Sequence, residues 1–283
     1  MLPQKKAVVL DFDGTLTDIW AIEEPFEQAY MSELAAALSG RIERRNFDAA
    51  WERAKHTVLA NPDDYGWRYK GKISVPAGAD PCTFCASVAD VVLDAAGIRK
   101  IEEKVPLLTG SFWKSYERVA APFRPDAAKF VADIASLAPL YVVTNSATDS
   151  VKAKLSSIGA AEKVTDVVGS ARKYAIDDGW ERVPEHQPVD GSRRRIYLRR
   201  KSYFDVLSAI AEREGVKFSD MLAVGDVYDL DLALPRAVGA DVCLVASDKT
   251  PKYAIDAVKK SGGYIAKSLS DVRHVVECLA SKL

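Results

Sequence analysis

The chain opens on a short apolar run, Ala7-Val8-Val9-Leu10, that stops at Asp11-Phe12-Asp13-Gly14-Thr15. Four consecutive apolar residues closed by a glycine-containing turn read as a buried strand. The pattern then becomes helical. Apolar residues recur at helical spacing from Trp20 to Leu38, ahead of Gly40, and again from Glu43 to Leu59. Residues 61–81 lose that period and are rich in Pro, Gly, Asp and aromatics, which reads as a long functional loop. Helical spacing returns over Cys82 to Ala96 and Ile98 to Arg118. The stretch closes at Pro122 and Pro125.

From Pro125 onward, helix and strand patterns alternate. The expected order is helix Ala127 to Leu137, strand Leu140 to Val143, helix Ala147 to Ile158 and strand Val164 to Val168. Residues 172–200 break the rhythm, and Asp178-Gly179 and Asp190-Gly191 read as hairpin turns there. Helix Tyr203 to Glu214, strand Met221 to Gly225, strand Asp241 to Val245, a helix around Pro251 to Lys260, strand Tyr264 to Ala266 and helix Leu269 to Ala280 complete the pattern. Buried strands alternating with helices predict an α/β fold with a doubly wound parallel sheet. The predicted division is a core of 1–15 and 122–283, with a β insertion at 172–200, and a helical insert of 16–121.

Composition narrows the function. The chain has 283 residues and a formal net charge of -1, which favours neither nucleic acid nor an anionic membrane as partner. No run approaches the length of a membrane span, and the first residues are too short an apolar lead for a signal peptide, so a cytoplasmic protein is expected. Cys82 and Cys85 form a C-x-x-C pair with no second pair or nearby His to complete a zinc site, so reduced thiols are expected of all four cysteines.

The chemistry gathers at strand ends. Asp11 and Asp13 would sit together at the carboxyl end of a buried strand, an unfavourable placement without a positive partner. Thr144 follows the strand Leu140 to Val143, and Asp226 follows Met221 to Gly225. In doubly wound sheets ligands bind along this carboxyl rim.

Asp11-Phe12-Asp13-Gly14-Thr15 resembles the first signature of the haloacid dehalogenase superfamily, and Val142-Val143-Thr144-Asn145 and Gly225-Asp226-Val227-Tyr228-Asp229-Leu230-Asp231 resemble its second and fourth. The resemblance implies a Rossmann-like core with a helical cap and a Mg²⁺-dependent phosphatase acting on a small phosphorylated metabolite. Asp11 would be the nucleophile and Asp13 the general acid and base. Mg²⁺, a cation that prefers hard oxygen ligands, would be held by Asp11, Asp13 (through its backbone carbonyl) and Asp226. Thr144 and a lysine would bind the phosphoryl oxygens. The lysine expected from its place before the next helix is Lys201, with Lys173 as its rival. Asp231, or Asp229, and Asn145 would support these groups.

Dehalogenases of this family lack the second acid, so Asp13 argues against dehalogenation. A phosphomutase keeps both acids and stands as the alternative, as does a binding protein on the same scaffold that has lost catalysis. The insert would choose the leaving group, with Trp67 and Arg68 as candidate contacts. Oligomeric state is not legible.

Overall fold

A computed structural model describes residues 7–190 and 194–281. The contacts divide the chain at Asp18/Ile19 and at Pro122/Phe123. Strand β1 (Ala7–Leu10) leads into the turn carrying Asp11 and Asp13. The insert Ile19–Pro122 then folds as its own unit. It comprises a 3₁₀ turn at Ile19–Ile22, helices α1 (Glu23–Ala37) and α2 (Arg44–Ala60), a hairpin of β2 (Gly66–Tyr69) and β3 (Lys72–Pro76), and helices α3 (Pro81–Ala95) and α4 (Ile101–Arg118). The stretch 61–81, expected as a loop, is therefore mostly hairpin.

The insert has its own core. Phe26, Tyr30, Phe47 and Trp51 are buried together, and Phe112 packs against Phe26, Tyr30 and Trp67. Cys82 and Cys85 are buried thiols outside any disulfide that fill this core, and burial raises the Cys85 thiol above its ordinary range. A buried, protonated thiol is inert, so this C-x-x-C pair is packing.

The other unit resumes with helix α5 (Ala127–Leu137), β4 (Leu140–Val143), α6 (Thr148–Ser157) and β5 (Asp166–Val168). Two short strands, β6 (His186–Pro188) and β7 (Arg195–Tyr197), form an antiparallel hairpin. Gly191 of the expected Asp190-Gly191 turn lies outside the described residues. Then come α7 (Lys201–Glu214), β8 (Met221–Gly225), α8 (Ala233–Ala237), β9 (Asp241–Val245), α9 (Lys252–Lys260), β10 (Tyr264–Ala266) and α10 (Leu269–Ser281).

Six strands form one parallel sheet in the order β10-β9-β8-β1-β4-β5. Period-2 alternation splits the strand side chains between two cores. Ala7, Val9, Tyr141 and Val143 face the layer with Phe204 and Leu207 of α7, while Val8, Leu10, Leu140 and Val142 face α5, α6 and α10. Both faces are covered, which is why the strands read as continuous apolar runs. Strand order runs outward from β1 in both directions, through β4 on one side and β8 on the other. The switch point of the sheet therefore falls at the carboxyl end of β1.

The unit boundary lies slightly beyond the expected one for a local reason. Thr17 bridges Phe123, and the Arg124 amide donates to the Leu16 carbonyl at 2.9 Å, so the chain leaving for the insert pairs with the chain returning. Among the described residues, no helix is long and apolar enough to cross a membrane.

Candidate active site

Asp11 is the first residue beyond β1, and its backbone amide still donates to the Val224 carbonyl of β8 at 2.9 Å. That bond continues the sheet and fixes the side chain at the rim. The next turn is unusually crowded. Gly14 has φ +85°, and a Cβ there would lie 2.0 Å from Asp226 Oδ2. Glycine is needed twice over, for the left-handed backbone and because the Asp226 carboxylate occupies the space. Arg124 donates through Nη2 to the Gly14 carbonyl at 2.7 Å and braces the turn.

The β8 rim is built the same way. A Cβ on Gly225 would lie 2.3 Å from the Cβ of Asp231. Residues Tyr228–Leu232 wind into a π-helical turn that buries both Asp229 and Asp231. One oxygen of Asp231 accepts from the Val227 amide at 3.0 Å, which leaves the other to face Asp11 and Lys173. π turns commonly occur where a side chain must be aimed into a site.

The cation at this centre is Lys173. Its Nζ lies 2.6 Å from Asp11 Oδ1 and 2.7 Å from Asp231 Oδ1, and its side chain is 1% exposed. Burial alone would lower its pKa, but Asp11 and Asp231 outweigh burial and hold the ammonium above its ordinary range. Burial pushes Asp11 up to about 8, with Lys173 opposing and Asp231 and Asp13 adding to the rise.

The expectation of Lys201 is corrected here. Lys201 is the exposed first residue of α7, and its ammonium pairs with Asp205 one turn on at 2.6 Å. The lysine that meets Asp11 precedes the hairpin insertion, and residues 174–200 lie between it and α7. Sequence offered Lys173 only as a rival, because proximity to the next helix was the guide and the insertion defeats it.

Lys173 sits on a strained loop. Ser170 and Arg172 have positive φ, at 51° and 50°, without being glycine. Such backbone persists only where surrounding bonds hold it. Here the Ser170 amide donates to the Ser146 carbonyl, the Ala171 amide to the Thr144 carbonyl and the Lys173 amide to Asn145 Oδ1, all at 2.8–2.9 Å. Asn145, expected as a supporting residue, thus fixes the main chain of Lys173. Thr144 is buried and its hydroxyl accepts from the Ser146 amide at 3.2 Å. It does not cap α6, whose N-cap is Ala147.

Asp13 has a separate partner on the β4 side of the rim. Ser146 Oγ donates to its Oδ2 at 2.6 Å, and its Oδ1 is buried with no hydrogen-bond partner. Ser146 was missed in the sequence, although it stands two residues beyond Thr144 at the same rim.

Asp11, Asp226 and Asp231 can each present one oxygen within 4.8 Å of the others. This all-oxygen set suits a hard divalent cation. All three also bond to protein groups: Asp231 gives its two oxygens to Lys173 and the Val227 amide, Asp11 Oδ1 accepts from Lys173, and Asp226 Oδ1 accepts from the Thr15 hydroxyl at 3.5 Å. The Asp13 carboxylate is not part of the set. Trp67 and Arg68 lie in the insert's hairpin. Trp67 packs edge-on against Phe112, and Arg68 donates to the Gly71 and Asp64 carbonyls.

A parallel six-stranded core with paired aspartates beyond strand β1 and a three-carboxylate cluster around a buried lysine at its rim defines a Rossmann-like hydrolase. Residues 5–239 match the model of the haloacid dehalogenase-like hydrolases, and the chain belongs to that family. Similar solved structures include a predicted phosphoglycolate phosphatase from Haemophilus somnus, 16% identical, with TM-score 0.54 and 97% of this chain and 99% of that chain covered. A haloacid dehalogenase-like family protein from Streptococcus pneumoniae is 13% identical, with TM-score 0.53 and 95% and 97% covered. The putative HAD-hydrolase YfnB from Bacillus subtilis, bound to magnesium, is 14% identical, with TM-score 0.50 and 97% and 99% covered. At these identities the likeness shows the fold. No curated protein matches the sequence.

Proposed function

We propose that the chain is a Mg²⁺-dependent phosphatase that hydrolyses a small phosphorylated metabolite through an aspartyl-phosphate intermediate. The observation that carries this reading is the pairing of Asp11, fixed by a buried lysine, with a second acid two residues on whose Oδ1 is buried and unpartnered. Hydrolase chemistry belongs to the family; the phosphate-ester substrate and the magnesium are this reading's own.

Asp11 attacks phosphorus through a carboxylate oxygen, and the bond from phosphorus to the leaving oxygen breaks. Asp13, aimed by Ser146, gives its proton to that oxygen through Oδ1. Water then attacks the aspartyl phosphate, Asp13 takes the water's proton, and inorganic phosphate leaves with Asp11 regenerated. Lys173 has three N–H donors, of which Asp11 and Asp231 take two; the third, with the Thr144 hydroxyl, serves the phosphoryl oxygens. Asp11, Asp226 and the Asp13 carbonyl would hold Mg²⁺, which when bound offsets the charge between a carboxylate nucleophile and a dianionic ester.

All of these groups address the phosphoryl end. Selection of the leaving group therefore falls to the insert, whose hairpin carries Trp67 and Arg68. The test is hydrolysis of an aryl phosphate with added Mg²⁺, repeated after chelation. Turnover that stops on chelation and returns with Mg²⁺ supports the reading; steady turnover in excess chelator overturns it.

A further inference from the structure

The insertion after Lys173 ends on an arginine that is as deeply buried as the lysine itself. Arg200 is 1% exposed. Its Nη1 donates to the Lys173 carbonyl at 2.6 Å and its Nε to the Tyr197 carbonyl at 2.9 Å. A guanidinium is costly to bury, and a planar fork that meets two carbonyls in fixed directions is a specific use for one. The Lys173 peptide is thus held on both sides: Asn145 takes its amide and Arg200 takes its carbonyl.

The hairpin within the insertion is anchored separately. Arg194, also buried, pairs with Asp229 and lies over the Tyr253 ring at 4.5 Å. Tyr253 Oη donates to the second oxygen of Asp229 at 2.7 Å, and Gln187 on β6 donates to Tyr228 Oη at 3.0 Å. Tyr228 and Asp229 belong to the same π turn as Asp231. The hairpin therefore grips the main chain of Lys173 at one end and the turn carrying its partner Asp231 at the other.

We propose that Arg200 is a positioning residue for Lys173, and that the 174–200 insertion acts as a strap that sets the lysine between Asp11 and Asp231. The catalytic consequence of this assignment rests on the phosphatase reading; the positional one does not. A lysine side chain has four rotatable bonds, and its charge is useful to a transferring phosphoryl group only where its root is fixed. The strained backbone at Ser170 and Arg172 would relax if the Lys173 carbonyl were released.

Arg200→Lys tests this while keeping the buried positive charge, because one ammonium cannot reproduce the two-carbonyl fork. Thermal unfolding first establishes that the variant folds. The expected loss in kcat/KM on an aryl phosphate is about 10- to 100-fold, the scale of a misplaced catalytic group. In a Lys173→Met background the same change should cost less than about twofold, since the residue it positions is gone. A full, multiplicative loss in that background overturns the proposal.

A second measurement needs no turnover. Reductive methylation followed by mass spectrometry should leave Lys173 protected in the wild type and label it at least ~10-fold faster in Arg200→Lys, as expected of local opening. Lys104, a buried, ion-paired lysine of the insert, is the control. Lys173 protection unchanged in the variant overturns the strap. A wild type inactive on phosphate esters overturns only the phosphatase reading. Where Arg200→Lys fails to fold, Arg194→Lys, which loosens the other anchor, is read by the same labelling.

Discussion

Replacing Lys173 with methionine discriminates most sharply between the two lysines. Methionine keeps much of the side-chain volume and removes the charge. In the wild type the ammonium lies 2.6 and 2.7 Å from two carboxylates, in a side chain that is 1% exposed. Removing one partner of a buried ion pair costs about 3–5 kcal/mol. Burial already favours the protonated form of Asp11 and Lys173 opposes it, so proton uptake by Asp11 once the ammonium is gone relieves part of that cost. At roughly 2–4 °C per kcal/mol, Tm should fall by about 6–20 °C. Loss of one preorganised donor to the phosphoryl group should lower kcat by about 10²- to 10³-fold. Lys201→Ala is the matched control. Its side chain is 47% exposed and makes one helical pair with Asp205, a contact worth about 0.3–0.5 kcal/mol, so Tm should move by no more than about 2 °C and kcat by less than about twofold. Aryl-phosphate turnover in Mg²⁺ and a thermal melt give both numbers. A Lys201→Ala enzyme that loses activity 100-fold while Lys173→Met stays within about threefold would refute the assignment, and an unchanged Tm for Lys173→Met would refute the reading of Lys173 as the shared counter-ion.

Other expectations follow from the same geometry. Saturating Mg²⁺ should raise the wild-type Tm, by about 2.7 kcal/mol of stability at a hundred times Kd, and Asp226→Asn should remove most of that shift. Asp11→Asn should abolish turnover yet raise the Tm of the metal-free protein, because it relieves a cluster in which several carboxylates share one ammonium; a lower Tm would contradict the charge argument. Gly14→Ala should cost about 1–3 kcal/mol and blunt the Mg²⁺ shift together, since its Cβ would meet Asp226 at 2.0 Å in a left-handed backbone. At the start of α10, Asp271 Oδ2 accepts from the Lys267 amide at 2.9 Å, and this bond, with hydrogen bonding from Ser268, holds its carboxyl below the usual range. Asp271→Ala should therefore lose about 0.3–1 kcal/mol at pH 7, and the gap from wild type should close as pH falls through the acid range in urea melts, because a carboxyl with a lowered folded pKa stabilises only while ionised.

The sheet was legible where burial on both faces leaves no polar alternation to misread. Leu140–Val143, Met221–Gly225, Asp241–Val245 and Tyr264–Ala266 are apolar runs cut off by a turn or an acid, and their bounds are those expected. The β2–β3 hairpin was not legible. Its strands are half-buried and carry Trp, Arg, Tyr and Lys, and its turn is Lys70-Gly71 with positive φ at both residues, a conformation that Asn-Gly or Asp-Gly would have announced. Asp178-Gly179 misled in the opposite direction: Asp177 Oδ1 accepts from the Gly179 amide and closes a turn with no strands beside it. At the site, Asp11 and Asp226 were legible because each directly follows an apolar strand. Lys173 was not fixed by sequence because its place depends on long-range bonds to Asn145 and Arg200, which no local pattern records.

The charge balance of the rim constrains the order of events under the proposed reaction. Asp11 and Asp231 share Lys173, while Asp226 stands beside them and Asp13 lies on the same turn as Asp11. A phosphate monoester brings up to two more negative charges. Like charges a few ångströms apart in a partly buried site repel by several kcal/mol, more than one ammonium already engaged by two carboxylates can offset. Dianion binding should therefore depend on a divalent cation held at Asp11 and Asp226. Calorimetric titration with inorganic phosphate checks this directly. Binding should be seen with Mg²⁺ present and fall at least ~100-fold in chelator, a difference of about 2.7 kcal/mol. Equal affinity with and without the cation would mean that Lys173 and Thr144 suffice to hold a dianion, and that the carboxylate rim serves some purpose other than a metal.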